Sequence, residues 1–416
     1  MLIPQRKTRF LENILLFTVF SAYFFPGVKL GSSFQLRVDD AIVLGLLPLL
    51  FTQRPKLYKS PIVTSLFLII SVMIISTLYG YLFLGVPQSS RDINEIVRLS
   101  KPLLLGVLLS RCDSEYLVRQ TDRLMPFFSG LLIILGFIQY FNIAGIGGFI
   151  GSFYAPSHHI ESMVGYSHRI VLTGSDPNIA AAIAMLFFIY NLIRATIVKK
   201  KSSIIASGLL LIVVLMTSSR TIFLALITIL SIFLLTAKNV RFVYKVLLLI
   251  FILGIIITLY NKFQYLALGF SMALEGKNLS LLYRFDKWRI AWNSFLLSPL
   301  LGWGPAKAIM STTVDGEYFL ILRRFGLIGL ISILISIFYM PFWGNRFKKS
   351  MPINLLIFDT VLKYYLIVIF FVMITNIFIG SYQLMLVYVF LSMIVYKGKK
   401  NVKNYSFNIS SSKKRH

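Results

Sequence analysis

The chain has 416 residues, 57% of them hydrophobic and only 14% charged, against roughly a quarter charged in a soluble domain. Its formal net charge is nevertheless +27, from 42 Lys and Arg against 15 Asp and Glu. So apolar a chain cannot hide its surface in one water-soluble core, which excludes a soluble enzyme, a disordered chain and a nucleic-acid binder. A single cysteine, Cys112, excludes a disulfide framework, and no Cys/His cluster marks a metal site.

Apolar runs close to the ~20 residues that cross a bilayer recur along the whole chain. Twelve are read, near 12–27, 38–53, 61–84, 93–110, 124–145, 178–196, 203–218, 220–236, 242–260, 317–342, 358–377 and 380–396. The second, fourth and seventh are short or carry charges. The pattern predicts an all-α, polytopic integral membrane protein of about 12 transmembrane helices, with residues 1–416 forming one transmembrane domain.

Placing the N-terminus in the cytoplasm makes every segment on that side basic. These segments hold Arg6, Lys7 and Arg9; Arg54, Lys56 and Lys59; Arg111, Arg119 and Arg123; and Lys199, Lys200 and Lys201. Further along come Lys238, Arg241 and Lys245; Arg346, Lys348 and Lys349; and the tail from Lys397 to Arg415. This is the positive-inside pattern, and it puts both termini in the cytoplasm.

Two connections on the opposite, outer face are long, 146–177 and 261–316, and long loops within a compact array of spans usually carry function. The second contains an amphipathic stretch, Leu281 to Ser298. Phe285, Trp288, Ala291, Trp292 and Phe295 share one helical side, while Arg284, Asp286 and Arg289 fall elsewhere. Such a helix either lies in the membrane interface or caps the bundle.

Several arginines stand outside the cytoplasmic segments. Arg169 precedes Asp176-Pro177-Asn178, a turn with proline at an early helical position. Arg220 joins two apolar runs with almost no loop, Arg284 and Arg289 are on the amphipathic stretch, and Arg323 and Arg324 are about two turns inside the tenth span. Arginine within a membrane usually faces a cavity or a partner, and its guanidinium binds phosphate as a fork. These arginines therefore suggest an anionic lipid head group or diphosphate. For each one, an interface anchor or an ion pair is the structural alternative.

The carboxylates Asp315 and Glu317 at the mouth of the tenth span, and Glu161 in the first long loop, are candidates for general-base work. Helical arithmetic puts Asp315 on one face with Phe319, Leu322, Gly326 and Gly329, and Glu317 opposite with Arg324, where the two can form an ion pair. His158, His159 and His168 add weaker base candidates.

These residues fall into motifs that resemble the bacterial O-antigen polymerase and O-antigen ligase superfamily. The resemblance rests on four pieces in order: His168-Arg169-Ile170 with Gly174-Ser175-Asp176-Pro177-Asn178; Ser218-Ser219-Arg220 running to Leu224; Arg284 and Trp288 with Ser298-Pro299-Leu300-Leu301-Gly302-Trp303-Gly304; and Asp315-Gly316-Glu317-Tyr318 with Gly326 and Gly329. They cover mainly residues 165–330. Ligases of the superfamily carry a histidine where this chain has Asp315, so the resemblance leans towards polymerase.

The resemblance implies a GT-C-like glycosyltransferase fold in the bacterial inner membrane, with its active site on the periplasmic face. It implies a substrate, an undecaprenyl-diphosphate-linked oligosaccharide, and membrane lipids and a chain-length-regulating co-polymerase as partners, with no cofactor. Arg169, Arg220, Arg284, Arg289 and Arg324 would hold the diphosphate, and Asp315, Glu161 or Glu317 would take the acceptor proton. A ligase or related lipid-linked glycan transferase is the alternative, and a flippase or transporter the more distant one. A transporter would more often show two similar halves, and no internal repeat is visible.

Overall fold

The computed structural model describes residues 5–29, 35–48, 60–165, 168–236, 279–310, 314–339 and 351–413, with isolated positions between 250 and 277. Most of the expected ninth span, 242–260, and most of the second long loop before residue 279 lie outside the described residues. Among the described residues there are fourteen α-helices and one two-residue antiparallel pairing, Val28–Lys29 with Gln35–Leu36. In chain order the helices are α1 Gln5–Phe24, α2 Val38–Gly45, α3 Pro61–Phe83, α4 Ser90–Leu109, α5 Ser114–Phe141, α6 Ile146–Ser152 and α7 Ser157–Val164. There follow α8 Pro177–Val198, α9 Lys201–Met216, α10 Arg220–Thr236, α11 Leu279–Leu297, α12 Glu317–Phe338, α13 Ile353–Thr375 and α14 Tyr382–Lys413.

Five of these, α3, α5, α8, α12 and α13, are long and apolar enough to cross a membrane. Apart from that short pairing the described residues form helices and their connections, and the chain is a polytopic membrane protein. The helix at the fourth expected span, α4, is not among the five: Arg91, Asp92, Glu95, Arg98 and Lys101 fill its first three turns. At the second expected span the helix α2 is only 8 residues long.

The centre is α8, with α5, α9 and α13 packed around it. Its start is fixed by Asp176, whose carboxylate accepts from Asn178 N at 2.7 Å and Ile179 N at 3.1 Å, with Pro177 supplying a pre-set first turn. Ala180, Ala181, Ala182 and Ala184 are fully buried. Lipid tails are as apolar as leucine, so helices associate through close packing, which small side chains permit.

Polar ties hold the two ends. Near one end Arg37 donates to Ala22 O at 2.8 Å, pairs with Asp39 at 3.2 Å and lies 3.9 Å from the Tyr382 ring, while Lys101 pairs with Asp39 and Asp40. This cluster joins α1, α2, α4 and α14. Elsewhere Asp359 of α13 takes Lys363 at 2.6 Å and Lys399 of α14 at 2.5 Å. A buried carboxylate needs such partners to remain charged.

Helix α12 is broken. Gly326 has φ 60° and ψ −162°, a conformation that side chains disfavour, and a Cβ there would overlap Leu300 O. The break frees backbone groups, and the segment Pro299–Gly304 takes them up. Trp303 N donates to Arg323 O at 3.0 Å and Gly304 N to Arg324 O at 2.8 Å. In return Leu327 N donates to Pro299 O at 2.9 Å and Ile328 N to Leu300 O at 3.2 Å. Interrupted backbone inside a membrane protein is tolerated where it is satisfied in this way. The helical arithmetic for this region therefore fails at both ends. Asp315 precedes the helix, which begins at Glu317, and Gly326 makes a break, not a flat packing face.

Candidate active site

The broken helix borders a cavity of about 400 Å³. Its charged lining is Glu95 and Arg98 of α4, Asp176 at the start of α8, Lys307, Asp315, and Glu317 and Arg324 of α12. Asn376 and Ser381, between α13 and α14, add neutral polar groups. Asp315, Glu317 and Arg324, expected from sequence, thus come together on one wall.

Asp315 is held from α11. Arg284 Nε lies 3.3 Å from its carboxylate, and the Trp288 indole N–H donates to its backbone oxygen. Trp288 stacks on Phe319 with ring centroids 5.0 Å apart, and Ala291 and Phe295 complete the packed side of α11. Arg284 lies on this packed stripe, one turn before Trp288, where the amphipathic reading had set it apart from the side that carries Trp288. Phe285 and Trp292, expected on the apolar side with Trp288, are exposed. The Asp315 carboxylate remains 46% exposed, so it is open to a ligand.

Glu317 is engaged differently. Its carboxylate accepts from Phe378 N at 2.7 Å and Ile379 N at 2.9 Å, which ties the α13–α14 connection to the head of α12. The anticipated Glu317–Arg324 pair is not the close one. Arg324 approaches Glu95 at 3.7 Å, and Lys307 Nζ reaches the other oxygen of Glu95 at 2.7 Å. Lys307, outside the spans, has its pKa lowered by burial and by the neighbouring Arg324 charge, against the opposing effect of Glu95.

A second cationic group adjoins the cavity through Asp176. Asn376 Nδ2 donates to both Asp176 oxygens at 3.1 Å. Ser219 Oγ donates to Asn178 Oδ1 at 2.8 Å, and Thr221 and Thr375 hydroxyls are 2.9 Å apart, which brings the Arg220 turn beside Asp176. Arg169 Nε lies 3.4 Å from Thr217 O in the same turn. Two buried glutamines shape the segment between Arg169 and Asp176. Gln139 accepts from Leu172 N at 2.6 Å and donates to Leu172 O at 2.9 Å, while Gln383 donates to Thr173 O at 2.9 Å. Arg169 and Arg220 do not line the cavity itself.

His159 of α7 is partly buried. Burial, His158 and Arg169 push its pKa down, while Asp176 pulls it up. Glu161 of the same helix is exposed and outside the cavity. Arg289 is exposed too, 3.2 Å from Asp286, so the structure brings neither to the other candidates. Glu95, Arg98 and Lys307 were missed. The charges of α4, inside an apolar run, were a signal for the first two; Lys307 had none.

Among curated proteins no match is found. Residues 205–334 match the family model described as O-Antigen ligase. That stretch contains Arg220, Arg284, Pro299–Gly304, Asp315 and Arg324, so the likeness of these motifs to the O-antigen polymerase and ligase superfamily holds over the part of the chain that builds one wall of the cavity.

Proposed function

We propose that the chain is a polymerase of lipid-linked oligosaccharide repeat units, a metal-independent membrane glycosyltransferase of GT-C-like fold with about twelve spans. The donor is a growing glycan on undecaprenyl diphosphate. The acceptor is a hydroxyl at the non-reducing end of a new lipid-linked unit. The acceptor oxygen bonds to the anomeric carbon of the donor, and the bond from that carbon to the diphosphate oxygen breaks. Arg169, Arg220 and Arg284 neutralise the departing diphosphate, and fixed charges of this kind favour a leaving group whose charge grows in the transition state. Asp315 takes the proton from the acceptor hydroxyl.

The observation that carries this reading is Asp315 itself. It is an exposed carboxylate at the cavity, oriented by Arg284 and Trp288, at the motif position where ligases of the superfamily carry a histidine. Glu317 is the weaker base because its oxygens already serve two backbone N–H groups. Glu161 and Arg289, both exposed, are given no role in this reading. The reading places the protein in the bacterial inner membrane, both termini cytoplasmic and the cavity towards the periplasm, beside a co-polymerase that sets chain length.

The family description favours one other reading, transfer of a finished glycan to a different acceptor. Purified protein supplied with lipid-linked repeat units separates the two. A ladder of longer lipid-linked glycans is expected. Acceptor capped once, with no ladder even with excess repeat unit, overturns polymerase.

A further inference from the structure

A reaction that joins two lipid-linked glycans must hold two diphosphates at once, and the reading above uses only Arg169, Arg220 and Arg284, none of which lines the cavity. The cavity has cations of its own. Arg98, Lys307 and Arg324 converge on it from α4, from the segment after Gly304, and from the residue two before the α12 break. The acidic residues Asp176, Asp315 and Glu317 line the same cavity.

This second group is built, not incidental. Lys307 is fixed through its backbone, where its N–H donates to Asp92 at 2.9 Å, and Asp92 is held in turn by the Tyr81 hydroxyl at 2.8 Å. Arg324 is fixed by the exchange of hydrogen bonds across the broken helix, Gly304 N to Arg324 O. Its side chain is only 7% exposed, and its Nε has no hydrogen-bond partner. A buried donor left without an acceptor destabilises the empty site. Glu95 is the carboxylate between the cations, 2.7 Å from Lys307 and 3.7 Å from Arg324.

We infer that Arg98, Lys307 and Arg324 form a second anion subsite, for the diphosphate of the lipid-linked acceptor, in which Glu95 is a built-in counter-ion that the incoming group displaces. This rests on the polymerase reading for the identity of the ligand but not for the site. Glu95 offsets the charge of buried Arg324 and half-buried Lys307 while the cavity holds no substrate, and Arg98 is exposed on α4. An arriving diphosphate supplies more negative charge and the missing acceptor for Arg324 Nε, and the Lys307–Glu95 pair then opens. Glu95 is a positioning residue in this scheme, acting through Lys307 and Arg324.

The test is binding to the full-length protein in detergent at fixed ionic strength, with inorganic pyrophosphate in one arm and undecaprenyl diphosphate in the other. Removing a charge that repels the ligand strengthens binding, so Glu95→Gln is expected to tighten pyrophosphate about tenfold or more. Lys307→Gln is expected to weaken it comparably. The gain from Glu95→Gln should persist in an Arg220→Ala background, because Arg220 belongs to the other group. A response confined to the lipid arm also supports the subsite and assigns it to the lipid-borne form. Unchanged binding in both arms for Lys307→Gln, in protein that elutes as folded wild type does, overturns it even if Glu95→Gln fails to fold. Wild type that binds in this pattern yet makes no ladder would defeat the polymerase reading and leave the subsite standing.

Discussion

Glu317 accepts two backbone N–H groups from Phe378 and Ile379, while Asp315, two residues earlier, keeps much of its carboxylate open beside Arg284. Their substitutions should therefore fail in different ways. Glu317→Ala leaves two N–H groups without an acceptor in an apolar setting and should cost about 2–4 kcal/mol of stability. It would appear as a lowered thermal midpoint; an unchanged midpoint with extension lost would instead make Glu317 a reacting group. Arg220→Ala should abolish chain extension while the protein still inserts and elutes normally, and normal extension by both Arg220→Ala and Arg220→Lys removes it from the diphosphate site. His159 supplies a pH effect. Its folded pKa is depressed, so the folded state binds fewer protons than the unfolded one. Stability is then level above the unfolded value of about 6.5 and falls as pH drops through it. His159→Gln should flatten that fall, measured as thermal midpoint between pH 5 and 8, and an identical slope contradicts the assignment. At this scale the sequence showed residue type and position but not partners. Asp315, Arg284 and Arg324 were visible as charges out of place in an apolar chain. That Arg324 is close to Glu95 and not to Glu317 depends on how α3 packs against both α4 and α12, which one-helix arithmetic does not contain.

Among the elements, α12 is the one that makes the site. Its break at Gly326 places Arg323 and Arg324 at the last turn of the first half, and the segment Pro299–Gly304 acts as a patch that satisfies the opened backbone. The motif glycines thus have a mechanical reason. A Cβ at Gly302 would be 2.5 Å from the Arg324 carbonyl carbon. Gly326→Ala meets both overlap with Leu300 O and a backbone conformation that itself costs about 1–3 kcal/mol, so it should lower the thermal midpoint and abolish extension together. Wild-type stability in that variant would mean that the break is not part of the native fold. The periodicity of the tenth run predicted a helix at this place, and the helix exists. The break was illegible because glycine in a membrane helix more often reads as a packing residue. The amphipathic segment, α11, was legible as a helix, but its inward face carries Arg284 with Trp288, because the anchoring partner is the Asp315 turn and not only apolar surface.

For the whole molecule, composition and hydropathy were enough to establish a helical membrane protein, since nothing else accommodates 57% hydrophobic residues in a chain this long. Topology is a proposal that charge distribution supports. A reporter active only outside the cytoplasm should work when fused after residue 165 and fail when fused after residue 200. The opposite result would invert the whole arrangement and put the cavity on the wrong face for lipid-linked substrates. The net charge of +27 acquires two meanings on this account. Most of it sets orientation. A few cations stand where no topology rule needs them, in two groups joined by Asp176, and a chain that couples two lipid diphosphates has a use for both.

The central claim is that the cavity at Asp315 is where one lipid-linked glycan is joined to another. It is tested most directly by extension of purified lipid-linked repeat units by Asp315→Asn protein, with binding of the lipid-linked substrate measured on the same sample. The account predicts substrate bound as in wild type and no ladder, because Asn keeps the shape and cannot take the proton. A ladder formed at the wild-type rate by Asp315→Asn would contradict it.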